Sequence, residues 1–253
     1  MADRPFDVLL LPGVVLPAQS AFGALLAALG DRAHAVTKDL ELYAEDEPQP
    51  GYGLDLETRG ILRAADAAGF DRFHLAGYSG GGAAALMFAA GHGERLLSLA
   101  LLEPAWGGND RSPPEEALQE RFRAVEHLPA DEQMAEFTRL QLAPGVEPPP
   151  PPAGPPPPWL AKRRAGIRAI LRAFDAASLD LDALRRFTQP VYFALGGLSN
   201  PSYFAQLAKR LGDAFPDFTV ETFPERHHFD PPHRREPEHL AASLLALWQR
   251  AEG

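Results

Sequence analysis

A serine between glycines stands where a predicted strand gives way to a predicted helix. Residues 77–81 have the pattern G-x-S-x-G, preceded by the apolar run Phe73–Ala76 and followed by a stretch rich in small residues. Glycines permit a turn too sharp for ordinary backbone, and such a turn presents a hydroxyl at the edge of a sheet. The pattern therefore predicts Ser79 as a nucleophile, with the Gly80 amide at the helix start as an oxyanion donor. The alternative is a glycine-rich turn without chemistry.

A nucleophilic serine needs a base, and the best candidates are histidines in the loop after the last predicted strand. An imidazole there reaches the same end of a parallel sheet as Ser79, where it can accept the serine proton and return it to a leaving group. His228 is favoured because an aromatic residue follows it and a helix begins within a few residues. His227 is the fallback, and His233 is expected to cap or pack at the start of that helix.

The composition narrows the classes of function. The 253 residues are 45% hydrophobic and 23% charged, with a net charge of −10, which is ordinary for a globular protein. A negative field repels nucleic acid and anionic membrane surfaces, so neither is expected as a partner. Cysteine is absent, which excludes disulfides, zinc-thiolate sites and cysteine nucleophiles.

Neither a phosphate-cradling loop nor a convincing metal-ligand spacing occurs in the sequence, so we expect no cofactor and no metal. The first residues lack the basic leader of a signal peptide, and no apolar stretch approaches the roughly 20 residues that a membrane span needs. We therefore expect a cytoplasmic monomer or homodimer that acts on a small-molecule substrate.

Apolar strands alternate with helices along most of the chain. Strands are predicted at Phe6–Leu11, Ala33–Thr37, Phe73–Ala76, Leu96–Leu102, Val191–Leu195 and Phe218–Phe223, and helices at Ser20–Leu29, Leu54–Ala68, Ser79–Ala90 and Pro237–Gln249. Continuously apolar strands of this kind form a parallel sheet covered by helices on both faces. An active site in such a sheet lies beyond the carboxyl ends of the strands, which is where Ser79 and His228 fall.

The alternation breaks between residues 107 and 188. Helical patterns occupy Pro114–Val125, Asp131–Leu140 and Leu160–Phe174, and a proline run extends over Pro148–Pro158. We predict a core of residues 1–106 and 189–253, with 107–188 as a helical lid. The proline run is expected to be an extended polyproline II segment on the surface, with a ligand for a proline-binding domain as the alternative.

Three arginines recur every four residues along the last lid helix, at Arg164, Arg168 and Arg172. This spacing places them on one helix face. Such a face is usually solvated. The alternative is that the guanidinium groups hold a substrate carboxylate.

These motifs together resemble the α/β-hydrolase superfamily, over nearly the whole chain outside the lid. Leu11-Pro12-Gly13 stands where that family usually has a His-Gly turn, and Asp39-Leu40 matches a common pair after the next strand. Residues 73–81 match the family's nucleophile elbow. His228-Phe229, followed by Glu236-Pro237-Glu238, resembles its histidine loop and last helix. The resemblance implies an α/β-hydrolase fold of about six mostly parallel strands, because the family's usual first two strands are missing. It also implies that the Val14 amide is the second oxyanion donor.

The acid of the triad departs from the family pattern. The family normally carries an aspartate after the penultimate strand, but residues 196–201 contain no carboxylate. Some members carry the acid after the preceding strand, where this sequence has Glu103. We predict that Glu103 orients His228, with a turn or cap glutamate as the alternative. Asp230 is too close to His228 in sequence, and Asn200 could act only as a neutral partner.

The resemblance implies the chemistry of a serine enzyme, because dehalogenases and epoxide hydrolases use aspartate at the elbow. We predict a cofactor-free hydrolase that cleaves a carboxylic ester, lactone or thioester through an acyl-enzyme, with Tyr78 and Trp106 binding a small, largely apolar substrate; Trp159 is a further aromatic candidate for the pocket. One alternative is a lyase or perhydrolase that uses the same Ser-His pair, although only Lys162 could serve as the lid lysine of plant hydroxynitrile lyases. The other is a catalytically inactive binding protein.

Overall fold

A computed structural model describes residues 4–148, 150, 159 and 163–253, without the side chains of Ala130, Asp131 and Arg164. Most of the predicted proline run Pro148–Pro158 lies outside the described residues, as does Lys162. The Arg164 side chain of the predicted arginine face is likewise outside the description.

Six parallel strands form one sheet in the order β2-β1-β3-β4-β5-β6. The strands are β1 (Phe6–Leu11), β2 (Ala33–Thr37), β3 (Phe73–Tyr78), β4 (Leu96–Leu102), β5 (Val191–Gly196) and β6 (Phe218–Phe223). Each lies where the apolar runs predict it, and β3 continues two residues further than expected. Parallel pairing brings the carboxyl ends of β3, β4 and β5 together at one edge of the sheet.

Helices connect the strands in the described part of the chain. They are α1 (Ala18–Leu29), α2 (Leu54–Ala67), α3 (Gly80–His92), α4 (Pro113–Ala124), α5 (Ala130–Arg139), α6 (Arg163–Ala176), α7 (Leu181–Arg185), α8 (Gln206–Ala214), α9 (Pro232–Arg235) and α10 (Pro237–Glu252). None of these helices is long and apolar enough to span a membrane.

Successive residues of β1 point to opposite faces of the sheet, and each face has its own core. Leu9 packs with residues of α2, α3 and α8, whereas Leu10 packs with residues of α1 and α10. The sheet is thus covered on both sides, which is why its central strands are largely apolar. The polar residues His74 on β3 and Ser98 on β4 are buried and contact each other at 2.8 Å. A third apolar cluster, which includes Phe122 and Ile170, joins α4, α5 and α6 to the carboxyl end of the sheet.

Three of these helices are not predicted from the sequence: α7, α8 and the four-residue α9. The first two flank β5, and α8 buries Leu207, Ala208 and Leu211 against the core. The short α7 is capped by Asp180, whose side chain accepts a hydrogen bond from the Ala183 amide at 2.9 Å. The buried residues of α8 lie at positions 207, 208, 211 and 214, which is the spacing of one helix face. The sequence therefore contains a local signal for α8 that the prediction missed.

Candidate active site

The backbone at Ser79 turns sharply between β3 and α3. Ser79 has φ +53° and ψ −117°, a region that costs energy for any residue with a side chain. Its amide donates to the Leu102 carbonyl at 3.1 Å, and its carbonyl accepts from the amides of Ala83 and Ala105 at 3.1 and 2.9 Å. These contacts on both sides hold Ser79 in the strained conformation, so the hydroxyl stays aimed beyond the sheet edge.

The glycines of the turn are required by close backbone approach. A Cβ atom on Gly77 would lie 2.4 Å from the Gly81 carbonyl oxygen, and one on Gly81 would lie 2.5 Å from the carbonyl oxygens of Leu11 and Pro12. The Gly81 amide also donates to the Pro12 carbonyl at 3.0 Å. A proline at position 12 has no N–H group, but its carbonyl still accepts this hydrogen bond and so connects the end of β1 to the turn.

The ring of His228 lies between the serine hydroxyl and a carboxylate. Its Nε2 atom is 3.0 Å from Ser79 Oγ, and its Nδ1 atom is 3.2 Å from Glu103 Oε2. The ring stacks on Phe204 with a centroid separation of 4.6 Å and an interplanar angle of 18°. On another side it contacts Tyr78, whose hydroxyl donates to the His228 carbonyl oxygen. Packing and hydrogen bonding thus fix the ring orientation.

Glu103 is held by the neighbouring strand. It has φ +46°, and with Ser79 it is one of two non-glycine residues of positive φ among those described. Its Oε1 atom accepts a hydrogen bond from the Gly196 amide at 2.8 Å, which leaves Oε2 to face His228. Gly196 is the last residue of β5 and the first of the segment 196–201, which lacks a carboxylate. The backbone at the start of this segment therefore holds a carboxylate that follows β4.

The alternative partners for the imidazole are engaged elsewhere. The Asn200 side chain donates to the Leu140 carbonyl at 2.7 Å and accepts from the Ser202 amide at 3.0 Å. Asp230 forms ion pairs with Arg226 at 2.8 Å and with Arg235.

The two other histidines of this region also have roles of their own. His227 Nδ1 accepts from the Phe229 amide at 3.2 Å. His233 is fully buried against Tyr78 and Phe22. Neither of its ring nitrogens has a hydrogen-bond partner among the described residues, and burial lowers the pKa of His233 to about 3. It packs as a neutral ring beneath the site.

The predicted oxyanion donors are the backbone amides of Val14 and Gly80, two residues that lie close to each other near Ser79. The Val14 side chain lies next to Gly80, since a Cβ atom on Gly80 would come within 2.8 Å of Val14 Cγ1. In the described part of the chain, neither the Val14 nor the Gly80 amide donates to another protein group. The Tyr43 hydroxyl donates to the Val14 carbonyl at 2.7 Å. Burial raises the pKa of Tyr43 to about 12, which keeps the hydroxyl protonated as a donor.

A cavity of about 20 Å³ opens at Ser79, which is room for about one water molecule. Its other lining residues are Val14, Ala105, Gln119, Phe122, Phe137, Gln141, Ile170, Leu171, Phe174 and Tyr203. Most of this wall comes from α4, α5 and α6. Gln119 and Gln141 supply polar groups to the wall. The sequence contains no motif that identifies these two glutamines, Tyr203 of the cavity wall or Phe204, which stacks on His228, as site residues.

Tyr78 and Trp106 lie behind this cavity and are not among its lining residues. The Tyr78 ring packs between His228 and His233. Trp106 is buried, stacks on Phe174 and donates its indole N–H to Asn109 Oδ1 at 2.9 Å. The structure therefore gives both predicted substrate-binding residues a packing contact with the site instead of a place in the cavity wall.

Trp159 has a different neighbour. It lies 5.2 Å from the Arg163 guanidinium, measured to the ring centroid, and it does not line the cavity at Ser79 either. In the described part of the chain, no group of three or more His, Asp or Glu residues could hold a metal ion.

The sequence matches a family model described as the alpha/beta hydrolase family over residues 8–242. The chain belongs to this family. The family and the six-stranded parallel sheet that the sequence predicts are both confirmed. None of the curated proteins searched matches the sequence.

Solved structures of other hydrolases share the fold of this α/β-hydrolase. A thermophilic esterase from Thermogutta terrifontis is 19% identical, with a TM-score of 0.69 over 99% of this chain and 92% of its own. A membrane phospholipase A, described as a bacterial virulence factor, is 24% identical, with a TM-score of 0.68 over 100% and 81% of the two chains. Naproxen esterase from Bacillus subtilis is 16% identical, with a TM-score of 0.65 over 98% and 85%. These similarities extend over the whole chain.

Proposed function

We propose that this α/β-hydrolase is a cofactor-free serine hydrolase that cleaves an ester-type bond of a small, largely apolar molecule through an acyl-enzyme. The observation that carries the proposal is the unbroken line of contacts from Ser79 Oγ through both His228 ring nitrogens to the Glu103 carboxylate. All three residues are buried, so little water competes for these contacts.

In the first half-reaction, Ser79 Oγ attacks the substrate carbonyl carbon while His228 Nε2 accepts the hydroxyl proton. The carbonyl π electrons move to oxygen, which the Gly80 and Val14 amides stabilise by hydrogen bonding. Collapse of this intermediate breaks the bond to the leaving group, which takes the proton from His228 and departs as an alcohol or thiol. The acyl group stays on Ser79.

In the second half-reaction, water gives a proton to His228 and attacks the acyl carbon. The bond to Ser79 Oγ breaks, and His228 returns the proton to that oxygen, which regenerates the enzyme and releases a carboxylic acid. Glu103 holds the Nδ1–H tautomer of His228 and stabilises the ring when it is protonated. The Gly196 amide in turn keeps the Glu103 carboxylate in place.

The cavity wall supports a largely apolar substrate. Aliphatic and aromatic side chains such as Phe122, Ile170 and Phe174 surround Ser79, which favours an apolar acyl or alcohol group. The structural neighbours include two esterases and a phospholipase, which supports ester cleavage. We propose that residues 107–188 act as a lid on the core of 1–106 and 189–253, since a cavity of about 20 Å³ must widen to admit an ester.

A fluorophosphonate probe tests the proposal, because it phosphonylates an activated serine. We expect the wild-type protein to be labelled, and the label to be lost in Ser79→Ala and in His228→Ala. Ser98→Ala is the matched control: Ser98 is buried on β4 and contacts His74, 2.8 Å away, and its loss should leave labelling intact. A folded wild-type protein that takes no label would contradict the proposal and favour a binding protein of the same fold.

A further inference from the structure

A second and larger cavity, of about 220 Å³, lies among the helices that cover Ser79. It shares Phe122, Phe137 and Leu171 with the cavity at Ser79. These three side chains thus form a common wall between an inner space at the nucleophile and an outer space within the helical segment. Movement of one of them would join the two spaces into a single substrate channel.

The outer cavity is lined by three arginines, and two of them have carboxylate partners. Arg123 contacts both oxygens of Asp175, at 3.0 and 2.9 Å, and also Glu116 at 2.9 Å. Arg172 lies 3.5 Å from Glu126. These pairs are exposed or partly exposed, and their charges compensate one another locally.

Arg168 is the exception. It is half-buried, lines the outer cavity, and has no ion pair and no hydrogen bond to a side chain or backbone group in the part of the chain that is described. Of the three arginines in this lining, Arg123 and Arg172 have carboxylate partners, and Arg168 has none among the described residues. A partly desolvated guanidinium without a counterion is costly unless a ligand supplies the missing charge.

Arg168 lies close to the wall that the two cavities share. Leu171, one of the shared wall residues, follows Arg168 by three positions, so both lie on the same helix face about 4.5 Å apart along the axis. Both residues line the outer cavity, and Leu171 also lines the space at Ser79. A ligand that extends from Ser79 past Leu171 would therefore come within reach of Arg168.

We propose that Arg168 is an anion-binding subsite for a carboxylate at the far end of the substrate, so that the preferred substrate is an apolar ester with a terminal carboxylate. The proposal rests on the proposed serine hydrolase function. A guanidinium matches the planar geometry of a carboxylate and can donate two hydrogen bonds to it. A single guanidinium without a counterion fits a monoanion better than a doubly charged phosphate monoester.

The test compares p-nitrophenyl hydrogen adipate and suberate with the same esters after methylation of the free carboxyl group. We expect wild-type protein to have at least about tenfold higher kcat/KM for the charged ester of one chain length, mainly through KM. This ratio should fall by at least about tenfold in Arg168→Gln and should partly recover in Arg168→Lys. Added salt of about 0.5 M should also lower the ratio.

A matched control removes an arginine outside both cavities. Arg59 on α2 is more than half exposed and pairs with Asp55 at 2.9 Å. Arg59→Gln should keep the wild-type ratio. Equal ratios in the wild-type protein, Arg168→Gln and Arg59→Gln would overturn the subsite, even with every variant folded and active on the methylated esters.

A binding measurement separates this inference from the proposed function. We expect Ser79→Ala to bind monomethyl suberate in a calorimetric titration, and the double variant Ser79→Ala/Arg168→Gln to bind it at least about tenfold more weakly. Absence of fluorophosphonate label and of all ester turnover in wild-type protein would contradict the hydrolase function. Loss of the charge preference with labelling and turnover intact would contradict only the subsite.

Discussion

Two buried glutamates, Glu57 on α2 and Glu103 after β4, occupy very different surroundings. Glu57 accepts hydrogen bonds from the amides of Glu41 and Leu42 at 2.9 and 3.0 Å and from the Tyr52 hydroxyl at 2.8 Å. Glu103 accepts one backbone hydrogen bond, and its second oxygen faces an imidazole that in turn contacts Ser79.

The difference lies in what the partners of each carboxylate contact. The partners of Glu57 are two backbone amides and a Tyr52 hydroxyl whose pKa burial raises far above its usual range, so these contacts hold the segment that contains Glu41 and Leu42 against α2. The imidazole that faces Glu103 contacts the Ser79 hydroxyl with its other ring nitrogen. Burial alone therefore does not distinguish the carboxylate that we propose for catalysis; its partner does.

The largest expected effect is on turnover in Glu103→Gln. An amide at this position cannot stabilise a protonated His228, so turnover of p-nitrophenyl esters should fall by at least about tenfold. The melting temperature should change little, because the carbonyl oxygen of the substituted side chain can still accept from the Gly196 amide. An unchanged turnover would show that Glu103 is not part of the triad and that, like Glu57, it has only a structural role.

The complementary variant is Glu57→Gln, which should affect stability instead of turnover. The NH2 group of the new side-chain amide would face a backbone N–H of Glu41 or Leu42, so that two donors meet and one hydrogen bond is lost. The free energy of unfolding should therefore fall by about 1–3 kcal/mol. Turnover per folded molecule should stay within about twofold of wild type. Urea denaturation and active-site titration measure the two quantities. A tenfold loss of turnover with unchanged stability would reverse the comparison.

A smaller effect concerns His233, which is buried without a hydrogen-bond partner in the described part of the chain. Because burial lowers its pKa to about 3, the unfolded chain binds its proton first as the pH falls below the ordinary value near 6.5. Its contribution to stability is complete above pH 6.5 and decreases toward pH 3, with about 2 kcal/mol lost between pH 7 and pH 5.

The test is the stability difference between pH 7 and pH 5 in His233→Leu, measured by urea denaturation. We expect the acid-induced loss to be smaller than in wild type by about 2 kcal/mol. His127→Gln is the control, because the His127 side chain is 80% exposed, and it should show the wild-type loss. The same acid sensitivity in His233→Leu and wild type would show that His233 does not remain neutral in the folded protein.

Much of the fold could be predicted because its causes are local. The largely apolar sequences of β1 and β4, and the small residues around Ser79, restrict the conformation of their own segments within a few residues. The predicted strands and the sharp turn at Ser79 therefore occur where the sequence indicates them. The predicted start of α1 lies two residues late, since the first amide of the helix, on Ala18, is capped at 2.8 Å by Asp39, which lies 21 positions away.

Local sequence was sufficient for the succession of strands along the chain, the sharp turn at Ser79 and the loop that carries the histidines. The choice of the carboxylate that reaches His228 depended instead on the folded chain, since Glu103 lies 125 positions away and needs a Gly196 amide that the sequence marks only as a loop. The same holds for the packing of Trp106 behind the cavity and for the lack of a counterion to Arg168 among the described residues. These features depend on contacts between segments that are distant in the sequence, and the residue pattern within one segment cannot predict such contacts.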